Sequence, residues 1–188
     1  GSVGEAVRQA GALFAREEMA EKRARRYEKE LEEARAAMPR TLDLRVLVLM
    51  GLSHPRRPES YLLAELPGGD ADELILKPGG CASVGEALAE GGPMGLGFAK
   101  LEGLDALAEA APDMIALVCD ANVGQQALHR ALLSNPALAS VPALARQAVF
   151  SLPSCSQGAP VGLPGVMRRW TQALAAASNT TSPRGTSA

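Results

Sequence analysis

Aromatic residues are scarce in this chain, and the scarcity limits how its core can be built. Only 3% of the 188 residues are Phe, Trp or Tyr, and there is a single tryptophan. Alanine, leucine and glycine must therefore do most of the filling, which predicts a core packed through small side chains and close helix approach. The length suffices for one domain with a proper core, or for one lobe with an appendage.

Long apolar runs, excess charge and paired cysteines are also missing. No segment approaches the roughly 18 consecutive apolar residues that a membrane span needs. The formal net charge is −2, which gives no basic field for nucleic acid or an anionic membrane. Cys81, Cys119 and Cys155 form no CxxC pair, which argues against a zinc ribbon or a thioredoxin motif. One disulfide with a thiol left over, or three small buried side chains, both fit this count.

The sequence also lacks the usual signatures of catalysis. No serine, histidine and acidic residue are spaced like a catalytic triad, and the glycines do not form GxGxxG or a phosphate-binding loop ahead of a helix. The sequence therefore predicts a protein that is not an enzyme.

The first 40 residues predict helix. Segments 5–15 and 17–38 form either one long helix, kinked near the middle, or two helices in succession. In the second segment, small and apolar residues recur every three or four positions, and the intervening charged residues form a solvated face. A charged helix of this kind is typical of a surface brace.

The remaining residues alternate between strand and helix patterns. Segments 45–50, 114–118 and 148–152 predict strands, and segments 122–133 and 164–177 predict helices. The run 114–118 is continuously apolar, so this strand is buried on both faces in a mostly parallel sheet covered by helices. Segments 61–66 and 73–77 predict a small β-hairpin around the turn at 67–70.

The predicted fold is therefore a single three-layer α/β lobe with a mostly parallel sheet, preceded by a long N-terminal helix and carrying a small β-hairpin insertion. The predicted boundaries are 1–40 for the helix, 41–178 for the lobe and 179–188 for a disordered tail.

This order of parts resembles the C-terminal half of class III periplasmic substrate-binding proteins, which serve ABC importers of haem, cobalamin and iron–siderophores. In that family a long helix bridges two similar α/β lobes, and the ligand lies between them. The bridging helix is matched by residues 4–38. The family's small-helix segment, which ends in Gly-Gly, is matched by Gly79-Gly80-Cys81 through Gly91-Gly92, and its loop–helix–strand element by Gly97-Phe98 through Pro112-Asp113.

The resemblance implies a non-catalytic ligand-binding component, or a truncated lobe, of a haem-, corrinoid- or siderophore-type import system. Its location would be periplasmic or extracytoplasmic, although no leader is visible in this sequence, and its partner would be an ABC permease. Three departures stand out. The first lobe is absent, the hairpin interrupts the family's course, and Phe98 follows the glycine after which haem-binding members often carry a tyrosine ligand.

Ligands of open α/β sheets meet the loops at the carboxyl ends of the strands. The side chains expected at or near those loops are those of His54, Arg56, Arg57, Phe98, Asp120, Ser154 and Cys155. An imidazole such as His54 could coordinate haem iron or cobalt, and two adjacent arginines suit the carboxylates or phosphate of a large anion. Haem or a corrinoid is the ligand that the resemblance implies.

The resemblance also implies a docking residue. Importers of this class are approached through one acidic residue per lobe, which pairs with arginines on the permease. In this chain the matching position is Asp105, where aspartate stands in place of the family's glutamate.

Two alternatives use the same residues differently. A single lobe could be an interaction or dimerisation module, pairing with itself or with a missing N-terminal-lobe partner. A metal-binding chaperone could instead use His54 with Cys119 or Cys155.

Overall fold

A computed structural model gives the fold for residues 2–53, 56, 60–101, 103–155 and 160–181. The α-helices are α1 (Val3–Leu13), α2 (Glu17–Ala36), α3 (Leu107–Ala110), α4 (Ala121–Ser134), α5 (Pro142–Ala145) and α6 (Leu163–Thr181). The strands are β1 (Arg45–Ser53), β2 (Ser60–Glu65), β3 (Ala82–Ser83), β4 (Phe98–Lys100), β5 (Met114–Cys119) and β6 (Val149–Ser151). A π-helical turn spans Asp72–Leu76, and short 3₁₀ turns occupy the remaining connections.

The six strands form one mixed sheet, in which five lie in the order β4-β2-β1-β5-β6 and the short β3 pairs with β1 outside this order. Strand β1 pairs in parallel with β5, and β5 pairs in parallel with β6. On its other side, β1 pairs in parallel with β3 near its start and antiparallel with β2 near its end. Strand β2 also pairs antiparallel with β4. The predicted α/β class with a mostly parallel sheet is confirmed.

Helices cover both faces of this sheet because its central strands are apolar on both sides. Val46, Val48 and Met50 of β1 point into one core, which α2, α6 and the π-helical turn complete. Leu47 and Leu49 point into the other core, which α3, α4 and α5 complete. Such double burial requires a continuous apolar strand rather than an alternating one.

The predicted hairpin insertion is wrong in its second half. Residues 61–65 do form a strand, but it pairs with β1 and β4, and the stretch 72–76 is helical. The reason lies in Glu65. Its Oε1 atom accepts hydrogen bonds from the backbone N–H groups of Ala71 (2.6 Å) and Asp72 (3.1 Å), which starts a helical turn where a strand was expected.

The N-terminal segment is also not a single long helix. Helix α1 ends at Leu13, the chain reverses at Ala15 with φ of 50°, and α2 begins at Glu17. The two helices lie antiparallel, because Gly11 faces Ala20 and Gly4 faces Glu28. We call this unit the helical hairpin. No helix in the described ranges is long and apolar enough to cross a membrane.

Candidate functional site

The carboxyl ends of three parallel strands meet at one edge of the sheet. Register pairs Gly51 of β1 with Cys119 of β5, and Leu117 of β5 with Ser151 of β6. This is the edge where the sequence places most candidate ligand residues, and we call it the carboxyl edge.

The chain turns sharply at the end of β5. Cys119 has φ of 64°, which is rare for a residue with a side chain, and Asp120 N–H donates to the carbonyl of Gly51 at 3.0 Å. A Cβ atom at Gly51 would lie 2.1 Å from the carbonyl oxygen of Asp120, so only glycine fits at this point of β1. Strained backbone of this kind concentrates at functional sites, and no residue pattern in the sequence predicts it here.

Asp120 caps the helix that follows. Its carboxylate accepts a hydrogen bond from the Asn122 N–H at 3.2 Å, at the N-terminus of α4. The predicted site residue therefore has a structural role at the carboxyl edge. Its negative charge occupies the helix end that would otherwise attract an anion.

The loop after β6 brings two further predicted residues close to the edge. The indole N–H of Trp170, a buried residue on α6, donates to the carbonyl of Pro153 at 2.9 Å and fixes the loop. A side-chain hydrogen bond joins Ser154 to Cys119. Asp120, the exposed Cys119 and Ser154 therefore lie close together at the carboxyl edge.

Both thiols at this edge are held protonated. Although the Cys119 residue as a whole is exposed, desolvation of its thiol group raises the pKa, and the hydrogen bond with Ser154 opposes this only in part. Burial raises the pKa of Cys155 to about 12, and the carboxylates of Glu65 and Asp70 add to the effect. Metal ligation and nucleophilic attack both need the thiolate, so neither thiol is prepared for these roles at neutral pH. All three cysteines are free.

Glu65 is a buried acidic residue near Cys155, and it is not among the site residues that the sequence predicts. Glu65 is 3% exposed, and burial raises its pKa to about 7, with smaller contributions in the same direction from Asp70 and Asp72. Asp72 is buried as well and accepts from the Gly68 N–H at 2.6 Å, with Lys77 Nζ at 3.3 Å. The signal that could have revealed this arrangement is the acid-rich stretch after Pro67-Gly68-Gly69, which suits a helix start better than a strand.

The other predicted ligand residues do not all lie at the carboxyl edge. Phe98 is 2% exposed and lies in the core on β4, paired with Glu65. Arg56 is exposed. His54 and Arg57 lie outside the described residues. The structure therefore brings together Asp120, Ser154 and Cys119, whereas it places Phe98 in the interior.

Asp105 is exposed in a turn two residues ahead of α3. It lines a groove of about 370 Å³ with Ser60 at the start of β2 and with Val123 and Arg130 of α4. The predicted docking residue is thus accessible and lies beside a helix that begins at the carboxyl edge. Within the described part of the chain, no group of three or more His, Cys, Asp or Glu side chains is placed to hold a metal ion.

Comparisons with known proteins give matches in structure only. No family model and no curated protein sequence matches the chain. The periplasmic haem-binding protein BhuT, solved with two haems, aligns over 94% of this chain with a TM-score of 0.63 and 21% identity. The haem-binding protein RhuT from Roseiflexus sp. RS-1 aligns over 93% with a TM-score of 0.62 and 19% identity. An Fe³⁺-hydroxamate transport protein from Saccharomonospora viridis aligns over 91% with a TM-score of 0.54 and 16% identity.

These matches show that the fold is that of ABC substrate-binding proteins. The chain spans 62% of the length of BhuT and RhuT and 54% of the hydroxamate protein.

Proposed function

We propose that this chain is the ligand-binding component, or one lobe of it, of an ABC import system for haem, a corrinoid or a ferric siderophore. The observation that carries the proposal is the alignment of 94% of the chain with a haem-binding protein of the same fold. In this role the protein captures its ligand without covalent chemistry and hands it to a permease outside the cytoplasm.

The segment that follows β1 in the sequence carries residue types of the right chemistry for a large metal complex. His54 offers an imidazole for iron or cobalt, and Arg56 and Arg57 offer guanidinium groups for carboxylates or phosphate. Asp120 and Ser154 contribute polar contacts on the neighbouring loops. Because Phe98 is buried, we propose no direct ligation at that position.

One lobe covers only one face of a large ligand, which sets the expected affinity. Binding pockets usually bury most of a ligand's surface, so this chain alone binds more weakly than a two-sided cleft. Affinity should rise when a second wall is supplied by another chain or segment.

The proposal is tested by titrating the chain with haemin, cyanocobalamin and a ferric hydroxamate while following absorbance. A saturable spectral change is expected with at least one of the three. If the ligand is haem, His54→Ala should remove the coordination bands, whereas Arg56→Ala with Arg57→Ala should weaken binding about tenfold through lost propionate contacts.

Arg169→Ala is the matched control, because Arg169 is an exposed arginine on α6. It should bind as the parent does. Absence of a saturable change with all three ligands would contradict the proposal.

A further inference from the structure

A cavity lies beside the C-terminal end of α2, between this helix, the π-helical turn and the start of α6. Its volume is about 360 Å³. Five apolar side chains from these elements and their flanking segments form its walls: Met38, Leu74, Pro78, Leu163 and Met167. Met38 and Met167 are buried and belong to the adjoining core, so the inner wall consists largely of flexible thioether side chains. The cavity therefore offers an adaptable surface to the apolar part of a ligand.

The cavity is separate from the carboxyl edge. Arg40 and Pro78, which line it, belong to two segments that meet at the amino end of β1. There the N–H of Leu42 donates to the carbonyl of Gly79 at 3.1 Å, and an added Cβ atom at Gly80 would lie 2.7 Å from the carbonyl oxygen of Arg40. Two segments in fixed, close contact therefore form one side of the cavity, at the opposite end of β1 from the carboxyl edge.

The charged residues that line the cavity leave a positive charge at its rim. Arg35 and Arg40 both line it and are both exposed. Within the part of the chain that the structure describes, neither of them forms an ion pair. Glu73 lines the cavity too, but its carboxylate is bonded to the ammonium group of Lys77, which also lies 3.3 Å from the buried Asp72. Two guanidinium groups therefore remain available to an anion.

Apolar walls below a cationic rim fit a small amphipathic anion. A guanidinium group matches a carboxylate through two parallel hydrogen bonds, and the walls favour the burial of methylene groups. A water molecule takes about 30 Å³ in the liquid and a methylene group takes about as much, so the cavity admits roughly twelve non-hydrogen atoms. This is the size of a medium-chain fatty acid such as decanoate, whereas a haem is several times too large.

We propose that this cavity is a binding site for a medium-chain fatty acid, with the hydrocarbon chain against Met38 and Met167 and the carboxylate at Arg35 and Arg40. The site is additional to the ligand site proposed at the carboxyl edge, and binding involves no covalent step. A bound fatty acid would contact α6, the π-helical turn and the segment after α2 together, which links three elements around one core.

The proposal is tested by isothermal titration calorimetry of the purified chain with decanoate below its micelle concentration. Saturable binding of one decanoate per chain is expected. Decanol has the same hydrocarbon chain without a charge, and decyltrimethylammonium has it with the opposite charge. Each of these two should bind about tenfold more weakly or less, because neither can accept the charge-assisted hydrogen bonds of a guanidinium group.

Substitutions at exposed positions test the rim without disturbing the core. Arg35→Gln combined with Arg40→Gln should weaken decanoate binding about tenfold or more. Glu73→Gln should strengthen it about threefold, because it removes the negative charge from the wall. Arg169→Gln is the matched control, since Arg169 is an exposed arginine on α6 that does not line the cavity. It should bind decanoate as the parent does, and circular dichroism should show every variant folded.

Three results would overturn the proposal. The first is the absence of saturable decanoate binding. The second is binding that decanol matches in affinity or that the double arginine variant retains in full, since the arginines would then not recognise the carboxylate. The third is a chain that ignores free decanoate but binds vesicles of phosphatidylglycerol through Arg35 and Arg40, which would assign these residues to a membrane surface.

Discussion

Single residues decide the chemistry at the carboxyl edge and beside it. Gly51 leaves room for the backbone of Asp120, and Cys119 accepts a left-handed conformation so that β5 can turn directly into α4. Glu65 is the most consequential of these residues, because it is a buried acid whose carboxylate starts the π-helical turn.

The raised pKa of Glu65 makes the stability of the fold depend on pH. Its pKa in the folded chain is about 7, against an ordinary value of 4.5, so the folded state binds more protons between these values. The free energy of unfolding should therefore fall as pH rises from about 4.5 to 7 and level off above that. At about 1.4 kcal/mol per tenfold change in proton affinity, the loss is roughly 3 kcal/mol.

Glu65→Gln tests this dependence, because the amide oxygen can still accept both backbone hydrogen bonds and carries no charge. Urea unfolding at several pH values should show that the variant lacks the fall seen in the parent. Glu86→Gln, at an exposed acid, should keep it. Parallel stability–pH curves for the parent and Glu65→Gln would refute the assignment.

At the scale of elements, α1 is attached to the molecule almost entirely through α2. Arg8 provides the polar link through two acidic partners, while Gly11 and Ala20 provide the close contact. Surface ion pairs contribute little alone, but this network joins two helices rather than two turns of one helix. The ion pairs of Arg8 therefore help to hold α1 against α2.

Arg8→Met should loosen α1 while leaving the lobe intact. We expect faster hydrogen exchange at the amides of α1 and little change in β1 and β5, since the variant loses both bridges to α2. Arg26→Met is the control, because Arg26 pairs with Glu30 on the same helix at 2.7 Å. Equal exchange in α1 for the two variants would show that the Arg8 network does not hold the hairpin together.

At the scale of the whole molecule, two cores lie on either side of one sheet. Trp170 of α6 is buried in one of these cores, and its indole N–H also donates to the loop that carries Ser154. The same residue therefore contributes to core packing and holds the loop of the candidate site. Asp105 lies on the opposite side, in the groove along α4. We propose Asp105 as the acid that meets permease arginines.

Docking can be measured as stimulation of permease ATPase activity by this chain in reconstituted vesicles. Asp105→Asn should reduce the stimulation about tenfold, the effect of losing one charge-assisted contact. Glu109→Gln, at an exposed acid on α3, should have no effect. Stimulation that survives Asp105→Asn would remove this residue from the docking surface.

The apolar patterns along the chain are enough to predict the layers of the fold. The continuous apolar run at 114–118 demands burial on both faces, and this requirement predicted a mostly parallel sheet covered by helices, in which β5 pairs in parallel with β1. The order of parts also predicted the resemblance to substrate-binding proteins, and the structural matches confirm that fold.

Three features depend on contacts between separate segments and could not be predicted from local patterns: the pairing of β2, the reversal at Ala15 and the burial of Phe98. In each case the local pattern was ambiguous. The stretch 73–77 is a short apolar run between two charged residues, which suits a strand, yet the carboxylate of Glu65 from a neighbouring segment accepts the hydrogen bonds that start a helical turn there. The two N-terminal segments fit one helix or two until contacts between Gly11 and Ala20 selected the hairpin. The periodicity of a sequence shows which side of a segment is apolar. Which other segment packs against that side depends on contacts between residues far apart in the sequence.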